Sequence, residues 1–294
     1  MQPYRPEGQY ALPPSPEVLH RGVGTGEIFQ AMCVKCDEFH NLHVDLGSIR
    51  GVIPREEVAI GIPESKAKEY AILSLVGKPV SFQVMAFKQD DTVILSRRTA
   101  QLEARSYFLS ALRPGDVIPA VVQNPIEFGV FCDIGCGYLA LMRIDRCCVS
   151  RLQTTAERFS PGQSIYAAVL SVDDASGQIN LTGRELLGTW EENAARFRPG
   201  QTVTGIVRSV MPYGIFIELA PNLSGLSEPD ARVSIGDTVS VYIRSIQEST
   251  HKVKLNILQV LPPLNIHPKV DYHITSGHLE QWEYYPGSTT VTYF

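Results

Sequence analysis

An internal repeat constrains this sequence more than any other feature. The segment LRPGDVIPAVVQNPIEFGVFCDIG (112–135) recurs 85 positions later as FRPGQTVTGIVRSVMPYGIFIELA (197–220). A second match, SPGQSIYAAVLSV (160–172) with SIGDTVSVYIRSI (234–246), has an offset of 74, so the third copy lacks residues from its middle. A weaker first copy includes DEFHNLHVDLG (37–47). This self-similarity predicts one small structural unit used three times in tandem.

The pattern inside each copy indicates short β-strands. Apolar residues alternate along each run, as at Ile165, Ala167 and Val169, and Gly, Pro, Asp and Asn separate the runs. Several short strands per unit are typical of a small barrel. Gly129 and Gly214 each follow an aromatic residue, which predicts a bend where a strand curves around the barrel.

The segments between the copies have helical patterns that end at Arg-Pro-Gly, and Thr189 before Glu191 and Glu192 is a helix N-terminal signal. Another helix candidate, 64–77, lies inside the first copy. Near the C-terminus, aromatic and β-branched residues alternate around a Tyr-Pro-Gly turn, which suggests a hairpin packed on the third barrel. The fold class is therefore all-β, with three barrels joined by short helices. The predicted regions are a flexible N-terminal arm (1–16), a degenerate first barrel (17–98), a helical linker (99–112), a second barrel (113–183), a second helical linker (184–197), a third barrel (198–260) and a C-terminal extension (261–294).

Charge and motifs exclude several classes of function. The net charge of −5 argues against a protein that grips nucleic acid by charge alone. Cys33 and Cys36 form a CxxC without a partner pair at zinc-finger spacing, so we expect buried or incidental thiols, no metal site and no cofactor. No phosphate loop, HExxH or nucleophile elbow occurs, and we expect no enzyme. No secretory signal or membrane span is evident, and we expect a cytoplasmic protein without membrane partners.

The repeated motif resembles the S1 RNA-binding domain, the five-stranded OB-fold module of ribosomal protein S1. That family has an aromatic-Gly-x-Phe turn, a nearby acidic residue, a GLxH segment, a Gly-Asp or Gly-Gln turn and a final Ile-x-Leu-Ser strand. The second copy supplies Phe128-Gly129-Val130-Phe131 (128–131), Asp133 and INLT (179–182). The third supplies Tyr213-Gly214-Ile215-Phe216 (213–216) and Glu218. The resemblance covers roughly residues 17–260 and implies three tandem S1-type OB-fold barrels.

The resemblance also implies which residues contact RNA. In the family, bases stack on the two aromatics of the turn, and a histidine and a cation from the last strand lie beside them. Stacking tolerates any base, because every base has a π-face. The candidate RNA-binding residues are Phe128, Phe131, Arg143, Tyr213, Phe216, Lys252, His40 and His43. The implied partners are single-stranded RNA, in particular mRNA, and the small ribosomal subunit, with no small-molecule substrate.

Departures from the family pattern leave a second hypothesis open. Pro54, Arg143 and Glu228 stand where the family has histidine, and only Lys252 keeps the last-strand cation. We expect Glu228 to repel phosphate. The first copy has His40 and His43 in place of the two aromatics. One hypothesis is therefore an RNA-binding protein whose second barrel is the best platform and whose first barrel is a docking surface. The alternative is a protein-interaction adaptor on the ribosome or the RNA-decay machinery with little affinity for RNA.

Overall fold

Three barrels share one strand order in the computed structural model, which describes residues 4–8, 14–61, 69–262 and 270–294. Each barrel closes five strands in the order 1-2-3-5-4. The predicted all-β class with three five-stranded barrels is confirmed. The chain divides into two units: the first comprises residues up to Leu112 with Asp133–Ala140 and Asp174–Gly177, and the second comprises the rest. The individual domain boundaries inferred from the sequence stay predictions, since these units do not follow single barrels.

The strands of the barrels have the following bounds. The first barrel contains β1 (Phe29–Cys36), β2 (Leu42–Leu46), β3 (Ile49–Ile53), β4 (Pro79–Phe87) and β5 (Thr92–Ser96). The second contains β6 (Val117–Ile126), β7 (Gly129–Gly135), β8 (Tyr138–Arg143), β9 (Ser164–Asp173) and β10 (Gln178–Thr182). The third contains β11 (Thr202–Met211), β12 (Gly214–Ala220), β13 (Leu223–Ser227), β14 (Thr238–Gln247) and β15 (Lys252–Val260).

Helices are short except for one. They are α1 (Pro16–Gly22), α2 (Glu69–Leu73), α3 (Arg97–Ala111) and α4 (Trp190–Ala194), with single 3-10 turns at Arg55–Glu57, Ile144–Arg146, Thr155–Glu157, Arg184–Leu187 and Glu248–Thr250. The hydroxyl of Ser96 caps α3 by accepting from the Thr99 amide at 3.0 Å. Part of the helix candidate at 64–77 lies outside the described residues.

The predicted helical linker at 184–197 is interrupted. A 3-10 turn (Arg184–Leu187) precedes Gly188, whose φ of 82° ends the helical path. The chain then restarts as α4, where Thr189 and Glu192 exchange hydrogen bonds between side chain and backbone at 3.2 and 2.7 Å. This capping box is the N-terminal signal that Thr189 and the acidic pair indicated in the sequence.

The shortening of the third copy falls in one connection. The link from strand three to strand four runs from Arg143 to Ser164 in the second barrel but only from Ser227 to Thr238 in the third. The strands that close the barrel keep similar lengths, so the barrel topology tolerates the loss. Loops accept such deletions because few buried contacts depend on them.

Glycines of the aromatic turn allow two strands to approach closely. A Cβ on Gly129 would lie 2.6 Å from the carbonyl oxygen of Met142, and one on Gly214 would lie 2.6 Å from that of Ser227. No other residue fits there without moving the neighbouring strand. The glycine therefore determines how closely the preceding aromatic residue, Phe128 or Tyr213, approaches the third strand of its barrel.

Barrel interiors are apolar, and they hold most of the cysteines. Ile53, Phe82 and Leu95 fill the first barrel, for example. All six cysteines are free thiols, five of them buried and Cys36 half-buried. Burial raises the pKa of Cys33 to about 11, which keeps this thiol protonated and inert at neutral pH.

Residues 4–8, which the sequence assigned to a flexible arm, make buried contacts in the first unit. The carboxylate of Glu7 receives two hydrogen bonds from the guanidinium of Arg97, at 2.8 and 2.7 Å, and one from the Ser81 amide at 2.8 Å. The Glu7 amide donates to Asp133 Oδ2 at 2.6 Å. A buried, bidentate ion pair therefore holds this segment in place. The sequence did not indicate this contact, because the N-terminal arm has few apolar residues.

A buried ion network joins the second and third barrels inside the second unit. Arg158, from the connection after β8, donates through Nη2 to Glu218 Oε1 at 2.6 Å. Arg208 of β11 donates through Nε to Glu218 Oε2 at 2.6 Å and also pairs with Glu157. All three principal members are almost wholly buried. Each charge is therefore compensated without water, and the loss of one would leave its partners unpaired.

The C-terminal strap, defined as residues 270–294, crosses both barrels of the second unit. Asp116 before β6 pairs with His278 through an isolated antiparallel bridge and a 2.8 Å side-chain contact. The strap then forms the hairpin of β16 (Gln281–Glu283) and β17 (Val291–Tyr293). Trp282 and Tyr284 of the hairpin pack in the core of the third barrel. The hairpin agrees with the sequence, whereas the contact with the second barrel was not predicted.

Replacing Glu218 by glutamine tests the ion network. The substitution leaves the buried guanidinium of Arg158 without its counter-charge and Arg208 with Glu157 alone, and we expect it to reduce the free energy of unfolding by ~3–5 kcal/mol. Chemical denaturation of the full chain measures the change. Glu228→Gln is the matched control, because that side chain is 87% exposed, and it should alter stability by less than ~0.5 kcal/mol. Equal effects of the two substitutions would contradict a structural role for the network.

Glu7→Gln tests the attachment of residues 4–8. Removing the carboxylate charge leaves Arg97 buried and unpaired, so we expect a loss of ~3–5 kcal/mol from the first unit and faster proteolysis near the N-terminus. Glu27→Gln serves as the control, since Glu27 is exposed. An unchanged unfolding midpoint for Glu7→Gln would show that the segment contributes nothing to the first unit.

Candidate nucleic-acid interface

The predicted aromatic pairs occupy equivalent places in the second and third barrels. Phe128 lies in the turn between β6 and β7 and is 60% exposed, and Tyr213 lies in the turn between β11 and β12 and is 67% exposed. Phe131 and Phe216, three residues later, are half-buried on the following strand. Exposed rings of this size are unusual at a turn, and both are available to a planar ligand.

The two rings of the third barrel contact each other. The centroids of Tyr213 and Phe216 are 6.3 Å apart, and their planes meet at 88°. This edge-to-face arrangement is a favourable one for aromatic pairs and restrains the exposed ring. A base that stacks on Tyr213 therefore meets a ring that is already oriented.

Strand register shows which cation lies level with the rings. Phe216 is opposite Leu226, and Leu226 is opposite Lys254. Directly paired residues project from the same face of a sheet. Lys254 therefore lies in the row of Phe216, while the predicted Lys252 pairs with Gln247 and lies one step farther along the same face. Both lysines are exposed. Lys254 was not predicted from the sequence, although its position two residues after Lys252 indicated that both side chains lie on the same face.

A second cation accompanies the acidic residue of the third barrel. Arg244 of β14 approaches Glu228 at 3.7 Å between Nη1 and Oε1, and both side chains are exposed. Glu228, which the sequence suggested would repel phosphate, thus has its charge partly offset. Because the pair lies in water, its attraction is weak and leaves Arg244 free to turn toward a ligand.

The second barrel has one cation and a polar row. Arg143 ends β8, and its Nε donates to Asp145 Oδ1 at 3.1 Å. Burial alone would raise the pKa of Asp145, but the hydrogen bond and charge of Arg143 outweigh it and lower the pKa. Asn180 occupies the position of the second barrel that is equivalent to Lys254. It pairs with Leu141, and its side-chain amide donates to the Ser171 hydroxyl at 3.0 Å. This barrel can hydrogen-bond a base edge but has fewer charges for phosphate.

The two histidines of the first barrel are tied to carboxylates. His40 has a φ of 62° and lies 3.8 Å from Glu69, and His43 Nε2 lies 3.1 Å from Asp37 Oδ2. Partial burial would raise the pKa of Asp37, but hydrogen bonds from Asn41, His43 and the backbone lower it to about 2. Rings held in this way present no free pair of faces like that of Tyr213 and Phe216.

The first barrel also has an apolar row where the third has a lysine. His43 pairs with Val52, and Val52 pairs with Ile94, which occupies the place of Lys254. Phe39, next to His40, is 68% exposed and was missed because the alignment placed the aromatic position one residue later. Lys35 is exposed and pairs with His43, so this face combines the apolar positions with one cation.

The described residues hold no group of three or more His, Cys, Asp or Glu side chains that could bind a metal ion. Among the helices of the described ranges, none combines the length and apolar character required to cross a bilayer. The eight residues inferred from the sequence to contact RNA stay predictions.

Comparisons with known proteins give one consistent similarity. The chain is 29% identical over 261 residues to the small ribosomal subunit protein bS1 homolog of Bacillus subtilis, a match of 83% of this chain and 66% of the relative. It is 28% identical over 281 residues to the small ribosomal subunit protein bS1 of Staphylococcus epidermidis, a match of 90% of this chain and 69% of the relative. The chain thus spans about two thirds of the length of these curated relatives.

Other comparisons add little. No family model matches the chain. A multidomain protein with nucleic acid binding domains from Streptococcus pneumoniae aligns with 80% of this chain and 74% of its own at 14% identity, but the TM-score is 0.28. The closed barrels, their repeated motif and the sequence similarity agree with one another. The chain is therefore built from three tandem OB-fold barrels of the S1 type and resembles the bacterial ribosomal protein bS1.

Proposed function

We propose that this protein binds single-stranded RNA, such as mRNA, as an S1-like component or associate of the small ribosomal subunit in the bacterial cytoplasm. The exposed aromatic at the same repeat position of two barrels, Phe128 and Tyr213, carries the proposal. The similarity to bS1 proteins supports the ribosomal setting. The sequence has no catalytic constellation, so the proposed activity is binding, without a cofactor or a small-molecule substrate.

The chemistry of the two barrels favours stacking over charge. Each stacked base contributes ~1–3 kcal/mol and needs no particular sequence. Lys254, Lys252 and Arg244 supply the third barrel with a few phosphate contacts, and Arg143 supplies the second with one. Binding should therefore weaken only modestly as salt rises.

The first barrel supports a second candidate function, an adaptor that docks on a protein surface. Its face has Val52 and Ile94 in a row that ends without the lysine of the third barrel, and Phe39 and Tyr70 of the same barrel are exposed. Exposed apolar side chains grouped on one face are typical of protein interfaces. The two functions are compatible, because different barrels perform them.

Phe128→Ala tests the stacking surface of the second barrel. Loss of one stacked base should weaken binding of a short, unstructured, pyrimidine-rich RNA by ~1–3 kcal/mol, or roughly 5- to 150-fold. Fluorescence-anisotropy titration at two salt concentrations measures it. Phe39→Ala removes an equally exposed phenylalanine of the first barrel and should leave RNA affinity unchanged while weakening cosedimentation with small subunits. If Phe128→Ala leaves RNA affinity unchanged and only Phe39→Ala weakens cosedimentation, the adaptor function replaces RNA binding.

Lys254→Ala and Lys252→Ala compare the two cations of β15. We expect the greater loss of affinity for Lys254→Ala, because register places Lys254 beside Phe216. The slope of log K against log salt should become shallower by about 0.7, the value for one phosphate contact on a single strand. A larger loss for Lys252→Ala would mean that the RNA lies nearer the start of the strand than the row of Phe216.

A further inference from the structure

A groove beside Phe128 is not used by the barrel face described above. It has a volume of about 550 Å³ within the second unit, is open to solvent, and is lined by Glu127, residues of the segment 144–153, Arg184 and Thr290 of the strap. We call it the Arg151 groove. The chain 144–153 belongs to the connection after β8, the connection that the third copy has in shortened form, so this groove has no counterpart implied by the repeat.

The Arg151 groove begins at the proposed stacking surface. The amide of Ile144, which lines the groove, donates to the carbonyl oxygen of Phe128 at 2.9 Å. Asp145, which also lines it, accepts the hydrogen bond from Arg143. Glu127 precedes Phe128 directly in the chain. A strand stacked on Phe128 therefore has the groove immediately beside it.

The charged side chains of the groove differ in whether they are paired. Asp145 is balanced by Arg143 at 3.1 Å and by Arg146 at 3.8 Å, and Arg184 pairs with Glu185 at 3.0 Å. Arg151 is exposed, and its guanidinium has no hydrogen bond or ion pair with any described residue. A planar guanidinium with unused donors is suited to a phosphate group. Glu127, which precedes Phe128 in the chain, disfavours phosphate beside the ring on which a base would stack.

We propose that the Arg151 groove carries the single-stranded RNA onward from Phe128, with Arg151 binding a phosphate of that strand. The inference rests on the proposed RNA-binding function and extends its site beyond the barrel face. Continuity with Phe128 and the unpaired guanidinium favour a nucleic acid strand over a peptide. Its volume lies within the ~300–1,000 Å³ of ligand sites, and its opening to solvent lets an extended strand enter it.

Arg151→Ala tests the groove, with a pyrimidine-rich RNA of twelve nucleotides as the probe and the full chain as the protein. We expect affinity to fall several-fold and the slope of log K against log salt to become shallower by about 0.7. Glu127→Gln should act in the opposite direction and tighten binding, since it removes the one unpaired carboxylate of the groove. Arg113→Ala is the matched control, because Arg113 is exposed but precedes β6, whereas Phe128 follows that strand. It should change neither quantity.

The outcomes separate this proposal from the function on which it rests. If Phe128→Ala weakens binding and Arg151→Ala changes neither affinity nor salt slope, the groove proposal is wrong and the stacking surface stands. If the unaltered protein does not bind the RNA, both are overturned. If Arg151→Ala leaves RNA binding intact but weakens cosedimentation with small subunits, the groove holds a protein segment instead.

Discussion

The second unit depends on a carboxylate that is buried between two guanidiniums. Glu218 accepts from Arg158 of the second barrel and Arg208 of the third, and water reaches none of the three appreciably. Desolvating three charges is costly, so the arrangement persists only if both barrels keep their relative position. The strap adds contacts on both barrels and a hairpin that completes the core of the third. If the two exposed aromatics stack bases as proposed, barrels fixed in this way lose less freedom when they bind one strand.

The same carboxylate position recurs in the repeat and links binding to stability. Glu218 follows Phe216 by two residues, as Asp133 follows Phe131. Side chains two apart on a strand project from the same face, about 7 Å from each other. The strand that presents a half-buried ring thus also presents a buried acid, and Asp133 accepts hydrogen bonds from Glu7, Gly135 and Gly137 amides. The acidic residue of the motif is therefore structural, and it holds the strand that bears the ring.

The barrels could be predicted from the sequence because their signals are local or repeated. Alternation of apolar residues, the helix cap at Thr189 and the missing residues of the third copy all have direct counterparts in the structure. The contacts that could not be predicted depend on residue pairs far apart in the chain or on strand register. Arg158 and Glu218 are separated by 60 residues and have no shared motif. Lys254 could be set beside Phe216 only after Leu226 was known to pair with both. The break at Gly188 required a backbone angle that a helical pattern does not reveal.

The three barrels share one topology but differ in the row of paired side chains that projects outward across their strands. The chemistry of a barrel depends on this outward row rather than on the fold. The third barrel has Phe216, Leu226 and Lys254 in that row, so a base and a phosphate can be bound together. In the second, Asn180 replaces the lysine, and the longer connection after β8 supplies Arg151 at a distance from the strand instead. The first has Val52 and Ile94 at the positions nearest the last strand, which can exclude water from a protein contact, and Lys35 beside His43 is its one cation in that row. A tandem array of this kind can hold a protein at one end and a flexible RNA strand along the rest, and each row can change without disturbing the core behind it.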